Sequence, residues 1–306
     1  MEYIAGKTEF KYKDTAVTLG KFDGLHKGHQ QLMDIVISYK QQGLTAVMFS
    51  FLMHPGNLFS DREFELIYTE EEKVAKLKSS GLDVLISYPF TEATREMEPE
   101  AFIREILVDK LDVKIIAVGK DFRFGRRRRG DVELLKACED TYGYKVIDCD
   151  KLTWRNEVIS SSTIRKALKE GDLETANLLL GRPYTIRGEV LHGRRLGRTI
   201  GIPTTNLIPP SSKLLPPCGV YVSRTRVNGG LYEGVTNIGY KPTVGAEENI
   251  GVETYLFDFN EDLYGRMIEV ELFYHIRPEL KFGTIEEMTA RMKEDILLGR
   301  NYFNRG

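Results

Sequence analysis

The chain has 306 residues, a formal net charge of -2 and 42% apolar residues. That length suits two domains with separate cores, and the near-neutral balance excludes the overall basic signature of a nucleic-acid binder. Cysteines at 138, 149 and 218 are odd in number and form no CxxC pair, and no apolar run approaches about 18 residues. With no apolar core in the opening MEYIAGKTEFKYKD, these features predict a soluble cytoplasmic protein with reduced thiols and no membrane partner.

The first half alternates strand and helix patterns. TAVTLG reads as a strand ending at Gly20. Leu32, Ile35, Val36 and Tyr39 follow helical spacing, with Gly43 as the stop. TAVMFSF at 45–51 suits a buried parallel strand. A helix over 70–80, the strand DVLISYPF, a helix carrying Phe102, Ile103, Ile106 and Leu107 on one face, and the strand KIIAVG continue the alternation. DVELLKACEDTYG reads as helix and KVIDCD as strand. This order predicts a parallel sheet with helices on both faces.

Two short helices, SSTIRKALKEG and DLETANLLLG, lead to a change of pattern near 183. The boundary is placed at 181–185, giving domains 1–183 and 184–306. Beyond it, YTIRGEVL, GVYVSRTRV, LYEGVTNIG, VETYLFDF and MIEVELFYHI are candidate strands, and NGG at 228–230 suits a tight hairpin. Ile268, Val270 and Leu272 alternate with Glu269 and Glu271, predicting one dry and one wet face. A last helix begins at Thr284, with Glu287 placed for a capping box. The second half therefore reads as a small β-barrel or sandwich closed by a helix.

Chemistry concentrates first in LGKFDGLHKGHQQL, where His26 and His29 sit at a strand-to-helix turn. Three readings stand open: a metal site with His54 as a third ligand, a glycine turn with surface histidines, and a nucleotide site. The last draws on Gly24 and Gly28, which admit close backbone approach, and on the free N–H groups of a helix N-terminus. Ser161, Ser162 and Arg165 in VISSSTIRKAL suit either an ordinary helix cap or a second phosphate grip. Arg126–Arg129 read as a solvated or anion-attracting loop. In LHGRRLGRTIGIPTTNL, Gly193, Gly197 and Gly201 form either a plain loop or a phosphate wrap, and Thr204 and Asn206 offer hard oxygen ligands to Mg²⁺.

HKGH is an instance of the HxGH signature of nucleotidyltransferases, and GKFDGLHKGH resembles more narrowly the N-terminal motif of bacterial bifunctional riboflavin kinase/FMN adenylyltransferases. VGKDFRFG resembles that family's GxDFRFG, ISSSTIR its ISSxxxR, and PTTN its PTAN with Thr205 for alanine. The resemblance covers nearly the whole chain. It implies a Rossmann-like nucleotidyltransferase sheet followed by an antiparallel β-barrel with a C-terminal helix. It also implies riboflavin, FMN, FAD and ATP as substrates and products, with Mg²⁺.

By the same resemblance, Gly20, Phe22, Asp23, Gly24, Gly28, His54, Asp121, Phe122, Phe124, Ser161, Ser162 and Arg165 would serve nucleotide and flavin around His26 and His29. Packing is the alternative for Phe122 and Phe124. Thr204 and Asn206 would hold Mg²⁺, Gly193, Gly197 and Gly201 the nucleotide, and Glu253 would be the base, with Arg277 and Phe282 near flavin. Lys21, Leu52 and Met53 depart from the family pattern. HxGH also occurs in class I aminoacyl-tRNA synthetases, but the chain has no KMSKS-like loop, so tRNA charging is not expected. A non-catalytic flavin binder would not need this set of residues. The expected partners are small molecules rather than nucleic acid, and the expected state is a monomer or weak oligomer.

Overall fold

The computed structural model describes residues 1–52, 65–193, 197, 200–241 and 249–304. His54 and Met53 lie outside the described residues. The chain divides into two compact units, Met1–Ser161 and Ser162–Gly306.

In the first unit, strands β1 (Glu2–Ala5), β2 (Thr15–Leu19), β3 (Thr45–Leu52), β4 (Val84–Pro89), β5 (Val113–Gly119) and β6 (Lys145–Cys149) form one sheet. It is parallel throughout, in the order β1-β4-β3-β2-β5-β6. Every residue of β2 is buried, as a strand covered on both faces requires. Val17 and Leu19 join Val47, Phe49, Ile116 and Val118 in one core cluster. Ala16, Met48, Leu85 and Ala117 join the opposite one, where helix α1 (Lys27–Ser38) contributes Leu32, Met33 and Val36. The alternation of two along the strands thus builds two cores from one sheet. From β2 the chain steps one way to β3, and from β4 it returns across β2 to β5. The reversal sets a crevice at the carboxyl ends of β2 and β5, where ligands of open α/β sheets bind.

The expected helices are present, with local differences. Helix α2 (Glu70–Leu77) stops short of residue 80 and carries a Thr69/Glu72 capping box that the hydrophobic pattern does not mark. Beyond α3 (Glu92–Glu96) and the short turn α4 (Pro99–Ala101), residues Phe102–Val108 wind as a π-helix. Phe102, Ile103, Ile106 and Leu107 are nonetheless all buried. The expected helix over 131–143 is broken at Cys138 into α5 (Val132–Ala137) and α6 (Glu139–Tyr142). In the first unit the edge strand β1 and the hairpin of β7 (Thr153–Trp154) and β8 (Glu157–Val158) escape the sequence pattern, as does the short strand at Thr205–Leu207 in the second. Arg155 and Asn156 turn that hairpin with positive φ.

Helices α7 (Ser161–Lys169) and α8 (Leu173–Leu180) are each followed by a glycine of positive φ, Gly171 and Gly181. The second unit then forms β9 (Tyr184–Glu189), β10 (Thr205–Leu207), β11 (Gly219–Val227), β12 (Gly230–Lys241), β13 (Asn249–Leu256) and β14 (Met267–Pro278). Their order is β10-β13-β12-β11-β14-β9, all antiparallel. The sheet curls until its ends meet, where the Leu191 N–H donates to the Asn206 carbonyl at 2.8 Å. Asn228 and Gly229, both of positive φ, make the expected two-residue hairpin.

Helix α9 (Ile285–Phe303) covers part of the outer face. A Cβ on its Gly299 would lie 2.8 Å from Val235 Cγ1, so only glycine permits this approach. Thr284 caps α9 by accepting from the Glu287 N–H, but the Glu287 carboxylate accepts from the Gly283 N–H, one residue before the position a capping box requires. The wet face expected on β14 is also corrected. Ile268, Val270 and Leu272 are buried as expected, yet Glu271 is only 7% exposed. Arg224 and Arg226 on the neighbouring strand pair with its carboxylate and close over it.

Register sets two rows of side chains across the barrel wall. Asn206, Glu253, Asn237, Val220 and Arg277 pair in sequence across β10, β13, β12, β11 and β14. One residue along, Thr205, Thr254, Thr236, Tyr221 and His275 form the inward row. There the Thr236 and Thr254 hydroxyls lie 2.9 Å apart, and Thr205 donates to the Thr254 carbonyl.

Candidate active sites

The loop leaving β2 is backbone-strained. Phe22, Gly24 and Leu25 all have positive φ, at 50°, 87° and 45°. Phe22 and Leu25 hold it by burying their side chains completely in the α1 core. Gly20 fits beneath the Phe22 ring, which a Cβ there would meet at 3.1 Å. The Asp23 carboxylate accepts from the Ile67 and Tyr68 N–H groups, and the Ser161 hydroxyl donates to the Asp23 carbonyl at 2.8 Å. Asp23 and Ser161 thus shape the loop from within.

His26 is the N-cap of α1, its Nδ1 accepting from the His29 N–H at 3.3 Å. A ring nitrogen that accepts carries no proton, so the neutral His26 imidazole donates from Nε2. The two histidine rings stack with centroids 3.6 Å apart and 19° between planes. Phe22 meets His29 edge-on, and Gly28 leaves room for the His26 ring. Stacked rings do not converge on one ion, and among the described residues no group of three His, Cys, Asp or Glu side chains could hold a metal. Burial pushes the His26 pKa down to about 4. Burial, and then the neighbouring His26, hold His29 well below the ordinary histidine value. Both are therefore neutral N–H donors at neutral pH, and the buried His29 Nδ1 has no hydrogen-bond partner among the described residues.

Around the carboxyl end of β5, Asp121 is exposed and pairs with Lys151 at 2.7 Å. Phe124 is buried against Phe102 and Phe122, and its ring would clash with a Cβ on Gly130. Packing accounts for Phe124, and Phe122 is half-buried beside it. Arg126 pairs with Glu96 and Glu98 and Arg129 with Glu98, whereas Arg127 and Arg128 are exposed and make no ion pair among the described residues. Ser162 is exposed and Arg165 half-buried on α7, both in the second unit.

In the second unit, Asn206 and Glu253 are cross-strand neighbours, which joins the PTTN segment to the VETY strand. Asn206 is nearly buried, and its Nδ2 reaches the Thr204 carbonyl at 3.5 Å. Gly193 lies against it, and a Cβ there would come 2.6 Å from Asn206 Nδ2. Gly197 is pressed on the Ile202 carbonyl, while Gly201, of positive φ, faces open space. Thr204 and Asn206 offer two neutral hard-oxygen donors and no carboxylate of their own. That set fits Mg²⁺ carried in on nucleotide phosphates better than an ion held by protein alone. Arg277 is committed elsewhere: its guanidinium grips Asp295 of α9 at 2.7–3.2 Å, with Phe282 at 5.9 Å.

The FAD synthetase family profile matches residues 9–163 and the riboflavin kinase profile residues 180–303. A bifunctional riboflavin kinase/FMN adenylyltransferase of Bacillus subtilis is 38% identical over 95% of this chain and 93% of its own. The chain belongs to this family. A member from Escherichia coli K12 is 36% identical over 94% of this chain and 92% of its own. A Streptococcus pneumoniae crystal structure described as a macrolide-efflux protein matches with a TM-score of 0.84 and 30% identity over 98% of both chains. Among the described residues of this family member, no helix is long and apolar enough to cross a membrane.

The family motifs thus fall at the ends of β2 and β5 in one unit and on β10 and β13 in the other. Sequence reasoning passed over Asn237, the second cross-strand neighbour of Glu253. Its signal is a lone amide in the run GVTNIG, but the register that places it depends on the connection at 242–248.

Proposed function

We propose that the chain performs two consecutive reactions on flavin, with residues 184–306 phosphorylating riboflavin and residues 1–183 adenylylating the product. In the first, Glu253 orients the 5′-hydroxyl of riboflavin and takes its proton as the oxygen attacks the γ-phosphorus of ATP, giving FMN and ADP. Thr204 and Asn206 would hold Mg²⁺, which when bound neutralises phosphate charge. Gly193, close against Asn206, Gly197, close against the Ile202 carbonyl, and Gly201, which faces open space, are assigned to the nucleotide loop. The observation that carries this reading is the Asn206–Glu253 pairing, which brings two distant motifs side by side.

In the second reaction, a phosphate oxygen of FMN attacks the α-phosphorus of ATP and pyrophosphate leaves. The nucleophile is already ionised, so the protein's work is positioning and charge stabilisation. His26 donates from Nε2, His29 from its ring, and the first turn of α1 from its backbone. Ser162 and Arg165 are proposed as further anion contacts on their motif alone, and Asp121 and Phe122 as flavin or nucleotide contacts. Three unpaired cysteines support a reducing compartment, and we assign the cytoplasm, with a monomer or weak oligomer and no nucleic-acid partner. Incubation with riboflavin, ATP and Mg²⁺, resolved chromatographically over time, should show FMN and then FAD. Absence of both would overturn the reading.

A further inference from the structure

Glu253 sits between two amides, Asn206 on β10 and Asn237 on β12, each its direct cross-strand partner. Paired side chains of this kind have Cβ atoms about 4.5–5.5 Å apart, within reach of one hydrogen bond between side chains. The two amides differ in how they are used. Asn206 is nearly buried, reaches the Thr204 carbonyl and lies against Gly193. Asn237 is half-buried, and its side-chain amide makes no hydrogen bond among the described residues.

Its surroundings restrict what it can do. Gly239, two residues on, is crowded by Asn237 Nδ2 on one side and Glu279 Oε1 on the other, where a Cβ would stand 3.3 and 2.4 Å away. The next residue in the row is the apolar Val220, and beyond it the Arg277 guanidinium is taken by Asp295. Within this row, Asn237 is thus the donor beside Glu253 that no other group occupies.

A carboxylate acting as base must turn one oxygen toward the attacking hydroxyl, and it does so reproducibly only when its other oxygen is held. Hydrogen bonds of this kind are often unformed without substrate and tighten in the reacting complex. We infer that Asn237 is a positioning residue for the kinase reaction: its amide donates to the Glu253 carboxylate and fixes the oxygen that receives the hydroxyl proton. This rests on Glu253 being the base. An uncharged donor suits the task, because a cation in that place would lower the basicity of the carboxylate.

The test uses the full chain and variants N237L, N237D and E253Q, all assayed with riboflavin, ATP and Mg²⁺. Leucine and aspartate keep the shape of asparagine without its N–H donors. FAD formation from supplied FMN and the thermal unfolding profile report on the fold. We expect both Asn237 variants to lose about 10-fold or more in kcat for FMN formation, with KM for riboflavin and ATP within about twofold. FAD formation should be unchanged. Wild-type kcat in N237L would overturn the inference, because shape alone would then suffice. A raised KM at unchanged kcat would overturn it in favour of substrate binding, and failure of the second unit to fold in both variants in favour of a structural role. If E253Q still phosphorylates riboflavin, it is the base assignment that fails. Loss of activity in E253Q alone would instead sink only the role given to Asn237.

Discussion

The paired histidines show how burial sets chemistry at a single position. Each is driven toward its neutral form, His26 to a pKa of about 4, chiefly by enclosure, with His26 adding to the effect on His29. Their folded values lie below the unfolded value near 6.5, so the unfolded chain takes up protons first as pH falls. Their contribution to stability is therefore complete above about pH 6.5 and is lost as pH falls, in the case of His26 toward its folded value of about 4. For His26 alone the loss is about 2 kcal/mol by pH 5, at about 1.4 kcal/mol per unit. Calorimetry at pH 7 and pH 5 should show this slope in the wild type and a shallower one in His26→Asn, since asparagine caps a helix without titrating in this range. An unchanged slope would assign the acid sensitivity elsewhere. The same neutrality leaves both rings as N–H donors, the role proposed for them toward phosphate. Thr205 is a second case: its added hydroxyl lies inside the barrel on the Thr254 carbonyl, so the departure from PTAN leaves Asn206, on the opposite face, untouched.

Among the elements, α9 depends on one buried ion pair. Arg277 and Asp295 are almost wholly enclosed and joined by several hydrogen bonds. Asp295→Ala would strand a buried guanidinium and should cost about 3–5 kcal/mol in the second unit, read as an earlier unfolding transition. A shift near zero would mean that water already reaches the pair. Such pairings mark where sequence reading ends. β2, β3 and β5 were legible because strands buried on both faces are continuous apolar runs, and the 228–229 turn because Asn-Gly tolerates positive φ. Glu271 was misread because its cover, Arg224 and Arg226, arrives from another strand. The π-turn at 102–108 keeps the four-residue spacing of its apolar side chains, so periodicity does not expose it. At the sites, the glycine loops and His26–His29 stood out as motifs. Asn237 did not, because its meeting with Glu253 depends on pairing across a connection whose length alone does not fix register.

For the whole molecule, the proposed division of the two reactions between residues 184–306 and 1–183 predicts two activities that fail separately. Glu253→Ala should abolish FMN formation from riboflavin and spare FAD formation from supplied FMN. His29→Ala should do the reverse, losing about 10²–10³ in rate if it removes one donor to the transition state. Loss of both reactions in either folded variant would mean that the labour is not divided this way. The cross-barrel rows also bear on how such a chain can change length over generations. Asn206, Glu253 and Asn237 face outward only while β10, β12 and β13 keep step, and the threonines one place along face inward. A single-codon insertion or deletion within β13 would turn the carboxylate into the barrel and present a hydroxyl in its stead. Gains or losses of two residues preserve the outward face. In lineages of this protein these strands can therefore change length only in even steps.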